Sequence, residues 1–371
     1  MAQAKNIVII AGEESGDINA SGVIKAMQDK SPEWKFFGIG GRRLSDAGLE
    51  LIEHIDNMSV MGFAEILMHY NFLKKTFNKM LEEVDKRKPA RAILVDYPGF
   101  NLRFAKEMKK RNIPVTYFIS PQVWAWKENR ISTIIECVDQ MICIFPFEKS
   151  WYKERGVDVH FVGHPLMDKR NPTFGKSEFI TKHNIPQNSQ IIALMPGSRQ
   201  QEIDRHLPIM ISSIIQLNEK FDIIPILGLA PGVKLSSPIP TNIKIECDKP
   251  DEVLRHSKIG LVCSGTISLQ AAYYAIPSVV IYRMNPMSWV FTKALSKVKY
   301  ASMTNLIAGR EILPELLQKA ATPDNISSRL VKWLSFEEEY CRIKDGLKIV
   351  RNKLGSPGCS QRAAQLIFDT L

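Results

Sequence analysis

Short, continuous apolar runs alternate along this chain with longer segments in which apolar side chains recur at helical spacing. The runs are rich in β-branched residues and too short for buried helices, so they predict strands. Strands that are apolar throughout are typical of parallel sheets covered on both faces. The predicted strands span residues 7–11, 34–38, 92–95, 115–119, 141–144 and 160–162, and then 191–195, 223–227, 243–246, 259–263 and 278–281.

The two series of strands predict an α/β protein with two doubly wound, Rossmann-like domains. A length of 371 residues also exceeds the roughly 250 to 300 residues at which one core stops growing. The alternation pauses at a Gly-His-Pro turn at 163–165, and the helical tail is broken by Gly-Ser-Pro-Gly at 355–358. We expect domains over 1–165 and 166–345 that face a ligand cleft, and a segment over 346–371 that returns to the first domain.

Composition narrows the class of protein and of partner. A hydrophobic fraction of 45% and a charged fraction of 24% exclude disordered and fibrous classes. The net charge of +10 favours an anionic partner. The bases are scattered and accompany no zinc-finger, helix-turn-helix or RNA-binding signature, so we predict no nucleic-acid partner.

Cysteine spacing and apolar run length indicate the compartment. The six cysteines lack the short paired spacing of a zinc site, and we expect no metal. The chain starts with a short strand-like run instead of a signal-peptide core, and no run approaches the roughly 20 apolar residues of a membrane span. These features predict a cytosolic protein, or one attached only to a membrane surface.

Two strand-to-helix corners carry donors suited to a phosphate or diphosphate. Strand 191–195 is followed by Pro-Gly-Ser-Arg, which ends in Ser198 and Arg199, and strand 259–263 by Ser264, Gly265 and Thr266. Glycine permits a tight turn, and the next helix directs unpaired N–H groups at an anion. The first corner alone is equally compatible with an ordinary turn. Two such corners in one domain favour a nucleotide diphosphate.

The first strand leads into an acidic loop with Glu13, Ser15 and Asp17. It lacks Gly-x-Gly-x-x-Gly, and its carboxylates would repel a pyrophosphate, which disfavours a nicotinamide enzyme. Acids at a helix start are often caps. We expect these three side chains to bind sugar hydroxyls instead.

Asp96 follows strand 92–95, at the edge where catalytic groups of open parallel sheets collect. In a partly apolar cleft its pKa would rise, and it could act as a general base on a sugar hydroxyl. Turn capping is the alternative. The loop over 120–130 contains two tryptophans and predicts a shaped wall. Further polar groups in loops are Arg283, Asn305, Arg310 and Glu311.

From residue 61 to 77, apolar side chains recur at helical spacing with Lys74 and Lys75 at the margin. Such stripes are most often core faces, but an apolar face edged by lysines can also dock on anionic lipid. The stripe contains Phe63, Ile66, Leu67, Tyr70, Leu73 and Phe77.

Several of these segments form, in their order along the chain, a pattern that resembles a known family. They are Gly-Glu-Glu-Ser-Gly-Asp at 12–17, Met-Gly-Phe at 61–63, Asp-Tyr-Pro-Gly-Phe-Asn at 96–101, the tryptophan loop at 120–130, Phe-Pro-Phe-Glu-Lys at 145–149, Phe-Val-Gly-His-Pro at 161–165, 194–199, 264–266 and 305–311. Over nearly the whole chain they resemble lipid-A-disaccharide synthases, and the tryptophan loop is the most specific of them.

The resemblance implies an inverting glycosyltransferase of the two-domain GT-B type that needs no metal and no cofactor. It would move 2,3-diacylglucosamine from UDP to the 6-hydroxyl of 2,3-diacylglucosamine 1-phosphate, releasing UDP and the β-1,6-linked disaccharide of lipid A biosynthesis. It also implies peripheral attachment to the cytoplasmic face of the inner membrane of a Gram-negative bacterium. A homodimer is left open.

The resemblance further assigns roles to residues. It makes Asp96 the general base or the group that positions the acceptor, with Glu13 as the matching glutamate of the first loop. The stripe from Phe63 to Leu73 becomes a membrane-facing helix. Substrate binding is expected from Ser15, Asp17, Ser198, Arg199, Ser264, Gly265, Thr266, Gln270, Arg283, Asn305, Arg310 and Glu311.

Two positions depart from the family pattern. Gln270 stands where the family usually has a glutamate that binds the ribose hydroxyls, so we predict donor binding weaker by about fivefold. Thr304 replaces a common proline and would loosen the loop before Asn305. Two other functions remain open from the residues: a UDP-sugar 2-epimerase, which shares the fold, and a sugar-binding protein with two hinged α/β domains.

Overall fold

The computed structural model describes residues 5–58, 65–168 and 175–371, with residues 65–70 described by their backbone alone. The chain forms two compact units, one of Met1–Asp168 with Leu354–Leu371 and one of Lys169–Lys353. The sequence had suggested a last boundary between 345 and 346. The structure has it between 353 and 354, because one helix runs unbroken from Glu337 to Lys353.

The first unit is a 7-stranded parallel sheet with helices packed against it. Its strands are β1 Asn6–Ala11, β2 Lys35–Gly40, β3 Leu49–His54, β4 Arg91–Val95, β5 Val115–Phe118, β6 Gln140–Cys143 and β7 Val159–Phe161. Its first helices are α1 Glu14–Lys30, α2 Arg42–Asp46, α3 Glu65–Arg87, α4 Pro98–Lys110, α5 Ile131–Cys137 and α6 Pro146–Lys153. The strand order β3-β2-β1-β4-β5-β6-β7 reverses direction between β1 and β4.

The second unit repeats this design with a 6-stranded parallel sheet. Its strands are β8 Gln190–Met195, β9 Ile223–Gly228, β10 Lys244–Glu246, β11 Ile259–Cys263, β12 Ser278–Tyr282 and β13 Glu315–Leu317. Its helices are α7 Lys176–Lys182, α8 Gln200–Asn218, α9 Pro250–His256, α10 Thr266–Tyr274, α11 Pro286–Leu295, α12 Met303–Ala308, α13 Pro323–Ser335 and α14 Glu337–Lys353. The order β10-β9-β8-β11-β12-β13 reverses between β8 and β11.

The predicted α/β class and both doubly wound sheets are confirmed. Every predicted strand has a counterpart, but the sequence missed β3 and β13, which lie at sheet edges. Edge strands are covered less completely, so β3 includes two glutamates and β13 begins with one, and neither forms a continuous apolar run. At the point of reversal the carboxyl ends of adjacent strands leave a crevice, which is where open α/β sheets bind ligands.

The last helix, α15 Cys359–Phe368, packs on α1 within the first unit. Asp168 caps it: the carboxylate accepts main-chain N–H groups from Gly358 and Cys359 at 2.6 and 2.9 Å. A Cβ on Gly22 of α1 would lie 2.5 Å from the Ser360 hydroxyl, so the glycine permits the close approach.

The stripe expected to face a membrane has a different outcome where the structure describes its side chains. Leu73 and Phe77 are partly buried and pack against the hydrophobic core of the first unit. The membrane-facing prediction is therefore corrected for Leu73, which lies on a core face. Phe63 and the side chains of Ile66, Leu67 and Tyr70 lie outside the described part of the chain. No described helix combines the length and apolar composition that a membrane crossing needs.

Candidate active site

Two carboxylates meet at the switch point of the first sheet. Strands β1 and β4 are paired in register, with Ala11 opposite Val95. Asp96 follows β4 directly, and Glu13 is the N-cap of α1 just after β1. Glu13 is exposed and Asp96 is half-buried. The two acids predicted from separate loops thus share one edge of one sheet.

The Asp96 turn is strained and firmly held. Asp96 and Tyr97 have φ values of 44° and 46°, a left-handed conformation that costs non-glycine residues energy. Buried Asn101 donates its amide to the carbonyls of Val95 and Asp96 at 3.1 and 2.8 Å. A Cβ on Gly12 would lie 2.3 Å from the Tyr97 ring, so this glycine makes room for the turn.

The surroundings of Asp96 favour its protonated form. Burial, and then the negative charge of Glu13, raise the pKa of Asp96 to about 6, although the Tyr97 main-chain N–H lowers it. A carboxylate with this pKa is ionised at neutral pH and still basic enough to accept a hydroxyl proton. Burial is thus the main cause of the raised pKa of Asp96.

The polar residues of the acidic loop have two different roles. Ser15 is exposed beside Glu13. Asp17 is 2% exposed, and its carboxylate accepts N–H groups from Gly41, Arg43 and Leu44 at 2.6, 3.0 and 3.1 Å. Asp17 is therefore the cap of α2, because its oxygens already have backbone partners. This corrects its assignment to the sugar site.

The tryptophan loop is positioned by a residue that our sequence reasoning missed. Glu148 is 1% exposed and accepts hydrogen bonds from the Ser120 hydroxyl, from Trp124 Nε1 at 3.0 Å and from the Phe145 N–H at 3.0 Å. Burial raises the pKa of Glu148 to about 7. Trp124 is buried, whereas Trp126 remains 44% exposed. Only the second tryptophan is therefore available as a wall.

The Pro-Gly-Ser-Arg corner after β8 is already partly satisfied by the protein. Glu202, in the first turn of α8, accepts the main-chain N–H groups of Ser198 and Arg199 at 3.0 and 3.3 Å. A Cβ on Gly197 would lie 2.4 Å from this carboxylate. The expectation that these two N–H groups bind an anion is therefore corrected. The exposed Ser198 hydroxyl and Arg199 guanidinium remain as donors.

The corner after β11 is open. Gly265 has a φ of 142° and no heavy atom within 4 Å of an added Cβ. In the described part of the chain, no acceptor is bonded to the N–H groups of Gly265 and Thr266, which begin α10. Ser264 differs, because its hydroxyl donates to the Ala301 carbonyl at 2.8 Å. The N-terminus of α10 is thus the better anion site of the two.

A buried histidine joins the Pro-Gly-Ser-Arg corner to the loop after β12. His206 is 0% exposed; its Nδ1 lies 2.7 Å from the Pro196 carbonyl, and its Nε2 accepts the Arg283 N–H at 2.9 Å. Burial lowers the pKa of His206, which favours the neutral ring that this pattern requires. The Arg283 guanidinium donates to the carbonyls of Gln318 and Ala321 at 3.1 and 2.7 Å. Arg283 is therefore a structural link, not a free substrate ligand as predicted.

Asn305 supports a loop from inside the unit. It is 0% exposed, donates to the carbonyl of Leu313 at 2.8 Å and accepts the N–H groups of Ile312 and Leu313 at 2.8 and 3.0 Å. This corrects its assignment to substrate binding. Arg310 and Glu311 are exposed on the loop that Asn305 supports.

Gln270 of α10 has an unused acceptor. Its Oε1 atom is buried and has no hydrogen-bond partner. An orphaned buried carbonyl is costly, and a hydroxyl from a bound ligand would satisfy it. The sequence had singled out this position for the ribose.

For the residues whose roles were not predicted, the sequence contains only partial signals. Glu148 and Glu202 stand three residues after their helix caps, a spacing typical of capping boxes. His206 has no local signal, because its partner Arg283 lies far away in sequence. Asn101 bonds to residues only five and six positions before it, at the end of the motif at 96–101, but its residue type alone does not predict this. Among the described residues, no three His, Cys, Asp or Glu side chains gather as metal ligands would.

Comparison with known proteins decides which family uses this arrangement. The family model described as lipid-A-disaccharide synthetase matches residues 7–367. The chain is also 34% identical to a lipid-A-disaccharide synthase of Geobacter sulfurreducens over 372 residues, which cover 98% of this chain and 97% of that protein. The chain belongs to the lipid-A-disaccharide synthase family. As a member, it is a glycosyltransferase of lipid A disaccharide synthesis.

Solved structures place the lipid-A-disaccharide synthase fold among GT-B proteins. A putative UDP-N-acetylglucosamine 2-epimerase from Listeria monocytogenes aligns with a TM-score of 0.67 at 13% identity, over 100% of this chain and 97% of that one. The glycosyltransferase of kitacinnamycin aligns with a TM-score of 0.66 at 12% identity, over 99% of both chains. At this identity the likeness concerns the fold alone, so the family match is what decides against an epimerase.

Proposed function

We propose that the chain transfers 2,3-diacylglucosamine from UDP-2,3-diacylglucosamine to the 6-hydroxyl of 2,3-diacylglucosamine 1-phosphate. The products are UDP and the β-1,6-linked tetraacyl disaccharide 1-phosphate. The observation that carries the proposal is the half-buried Asp96 at the first switch point, where burial and Glu13 raise its pKa to about 6. Family membership supplies the reaction class.

The first unit activates the acceptor. The carboxylate of Asp96 takes the proton of the 6-hydroxyl while that oxygen bonds to the anomeric carbon of the donor. The bond from this carbon to the diphosphate breaks on the opposite face, which inverts the anomeric centre, and the electron pair leaves on UDP. Glu13, whose charge acts on Asp96, and the exposed Ser15 two residues further along orient the acceptor through its hydroxyl groups.

The second unit holds the donor and stabilises the departing UDP. The free N–H groups of Gly265 and Thr266, at the positive end of α10, bind the diphosphate. Ser198 and Arg199 add a hydroxyl and a fixed charge from the neighbouring corner. The orphaned carbonyl of Gln270 accepts a ribose hydroxyl.

Both proposed substrates carry acyl chains, so the enzyme must reach them in a bilayer. We therefore place it peripherally on the cytoplasmic face of the inner membrane, where nucleotide sugars are available. The net charge of +10 suits an anionic surface. A homodimer stays compatible with this proposal.

The decisive experiment mixes purified protein with both substrates and detects the disaccharide 1-phosphate by mass spectrometry. Product that depends on both substrates, and that the Asp96→Asn variant fails to form, is expected. Absence of product with active substrates would sink the proposal. A parallel incubation with UDP-N-acetylglucosamine, followed for UDP-N-acetylmannosamine, tests the epimerase reaction found on the same fold.

A further inference from the structure

Helix α11 of the second unit directs its large apolar side chains to solvent instead of to the core. Its large apolar side chains Met287, Val290, Phe291 and Leu295 are 72%, 65%, 64% and 61% exposed. No residue of α11 is buried. A surface helix normally places such side chains on the core, so this exposure needs a partner to explain it.

The four side chains form one continuous face. Positions i, i+3, i+4 and i+8 lie on the same side of a helix, and Ala294 fills the stripe between them. On the other side of the helix Trp289 is half-buried, and the Thr292 hydroxyl lies 3.7 Å from the sulfur of Met284 in the turn before α11. The exposed apolar face and the half-buried Trp289 therefore lie on opposite sides of α11.

The margin of this face is basic and contains no acid. Lys293 lies beside Val290 on the wheel, and Lys299 follows the helix; both are exposed. No aspartate or glutamate occurs between residues 283 and 310. An apolar face with a cationic margin is complementary to an anionic lipid surface. A second copy of the chain fits less well, because a symmetric contact would bring the same lysines together.

Both ends of α11 are tied to the donor corners. Before the helix, the Arg283 N–H bonds to His206, which contacts the Pro196 carbonyl of the first corner. After the helix, the Ala301 carbonyl accepts the Ser264 hydroxyl of the second corner at 2.8 Å. The exposed face is thus attached to both corners of the proposed donor site.

We propose that the α11 face of Met287, Val290, Phe291 and Leu295 docks on a bilayer containing anionic phospholipid. The inference rests on the proposed function in that acylated substrates bring the enzyme to a bilayer. The helix lies flat, its apolar face among the upper acyl segments and Lys293 at the phosphate groups. Docking then sets the donor corners at a fixed height above the membrane.

The test is co-sedimentation of the full chain with vesicles, without substrates. Wild-type protein is compared with Phe291→Ser/Leu295→Ser on vesicles of phosphatidylcholine and phosphatidylglycerol in a two-to-one ratio. Since each large apolar side chain contributes substantially to insertion, we expect the partition coefficient of the variant to fall at least about tenfold. Lys293→Gln should lower it several-fold on these vesicles and leave binding to pure phosphatidylcholine unchanged.

The matched control is Phe336→Ser/Ile349→Ser, which removes side chains 60% and 53% exposed elsewhere in the second unit. This control should partition as the wild type does. Equal partitioning of the α11 variant and the control would overturn the proposal. So would a variant that changes the mass measured by light scattering but binds vesicles normally, because a second copy would then cover α11.

A separate assay distinguishes this inference from the proposed reaction. With both substrates dispersed in detergent, the α11 variant should turn over at the wild-type rate. Loss of turnover there, with vesicle binding retained, would overturn the docking role. If the wild type itself forms no product, the proposed reaction fails, while the vesicle measurement still decides whether α11 binds lipid.

Discussion

The two units place opposite chemistry at the same point of the same fold. In both, the sheet reverses direction beside its first strand, between β1 and β4 or between β8 and β11. The first switch point presents Glu13 and Asp96, whereas the second presents Arg199 and the open N-terminus of α10. The fold fixes where ligands bind, and the loop residues fix what charge they meet.

The two units also differ in the groups that surround the carboxylate at each switch point. Asp96 receives a main-chain N–H from Tyr97, but burial and Glu13 dominate and its pKa rises. Glu202 instead takes two main-chain N–H groups of its own corner and lies 3.6 Å from the Arg199 guanidinium. One acid thus has a raised pKa, and the other shapes a loop through its hydrogen bonds.

The substitution expected to have the largest effect is Asp96→Asn, at the switch point of the first unit. Removing a general base should lower kcat by about 100-fold or more, because such groups contribute roughly 10² to 10⁴ in rate. Product formation measured by mass spectrometry under saturating substrates gives the answer. Near-normal turnover would remove Asp96 from the catalytic role.

Thermal unfolding of the same variant provides the control for its fold. The pKa of Asp96 is raised in the folded state, so ionising it costs stability, and this cost grows as pH rises through about 6. Asp96→Asn should therefore be as stable as the wild type at low pH and more stable by about 1 to 3 kcal/mol at neutral pH. A lower Tm at neutral pH would mean that the lost activity reflects misfolding.

The donor side is tested by Arg199→Ala. A charged hydrogen bond to the diphosphate is lost and Glu202 loses its neighbouring cation, so the KM for the UDP donor should rise about tenfold or more. Arg205→Ala on the same helix is the matched control, since it removes one exposed charge away from the corner. Equal changes in the two variants would reduce Arg199 to a general electrostatic contribution.

A substitution can also strengthen the binding of the UDP donor. In Gln270→Glu, a carboxylate replaces the orphaned amide carbonyl, and the charged hydrogen bond to a ribose hydroxyl should lower the donor KM about fivefold. The acceptor KM should not change. An unchanged or higher donor KM would take residue 270 out of the ribose site.

The smallest effect concerns the coupling of the two acids. Glu13→Gln removes the second cause of the raised Asp96 pKa and leaves burial, the larger one. The acidic limb of the kcat/KM profile, expected near pH 6 in the wild type, should shift to lower pH by a fraction of a unit. A shift to higher pH would show that Glu13 does not act on Asp96 through its charge.

Apolar surface offers a second lesson about what a pattern can predict. The stripe at residues 61–77 and helix α11 both combine apolar side chains at helical spacing with lysines. The sequence analysis predicted that the stripe at 61–77 could face a membrane, yet Leu73 packs on the core. It made no such prediction for α11, whose apolar face is exposed. Periodicity identifies an apolar face but not what covers that face, because the cover comes from distant segments.

The sequence by itself determined the class of fold, most of the strands and the loops proposed to carry chemistry. These depend on local signals: continuous apolar runs, helix spacing and glycine corners. Of the four edge strands, β7 and β10 were predicted. The other two, β3 and β13, were missed, because a strand with one neighbour needs no unbroken apolar run and both of these include glutamate.

Only the tertiary structure decided which polar residues are free to act. Asp17 and Asn305 read as ligands in sequence but have their hydrogen bonds satisfied by backbone groups from other segments. Asp96 and Gln270 keep an acceptor available, one beside Glu13 and one without a partner. The reason is physical: a side chain's hydrogen-bonding capacity is used by whichever groups the fold brings near it, and sequence spacing does not contain that information.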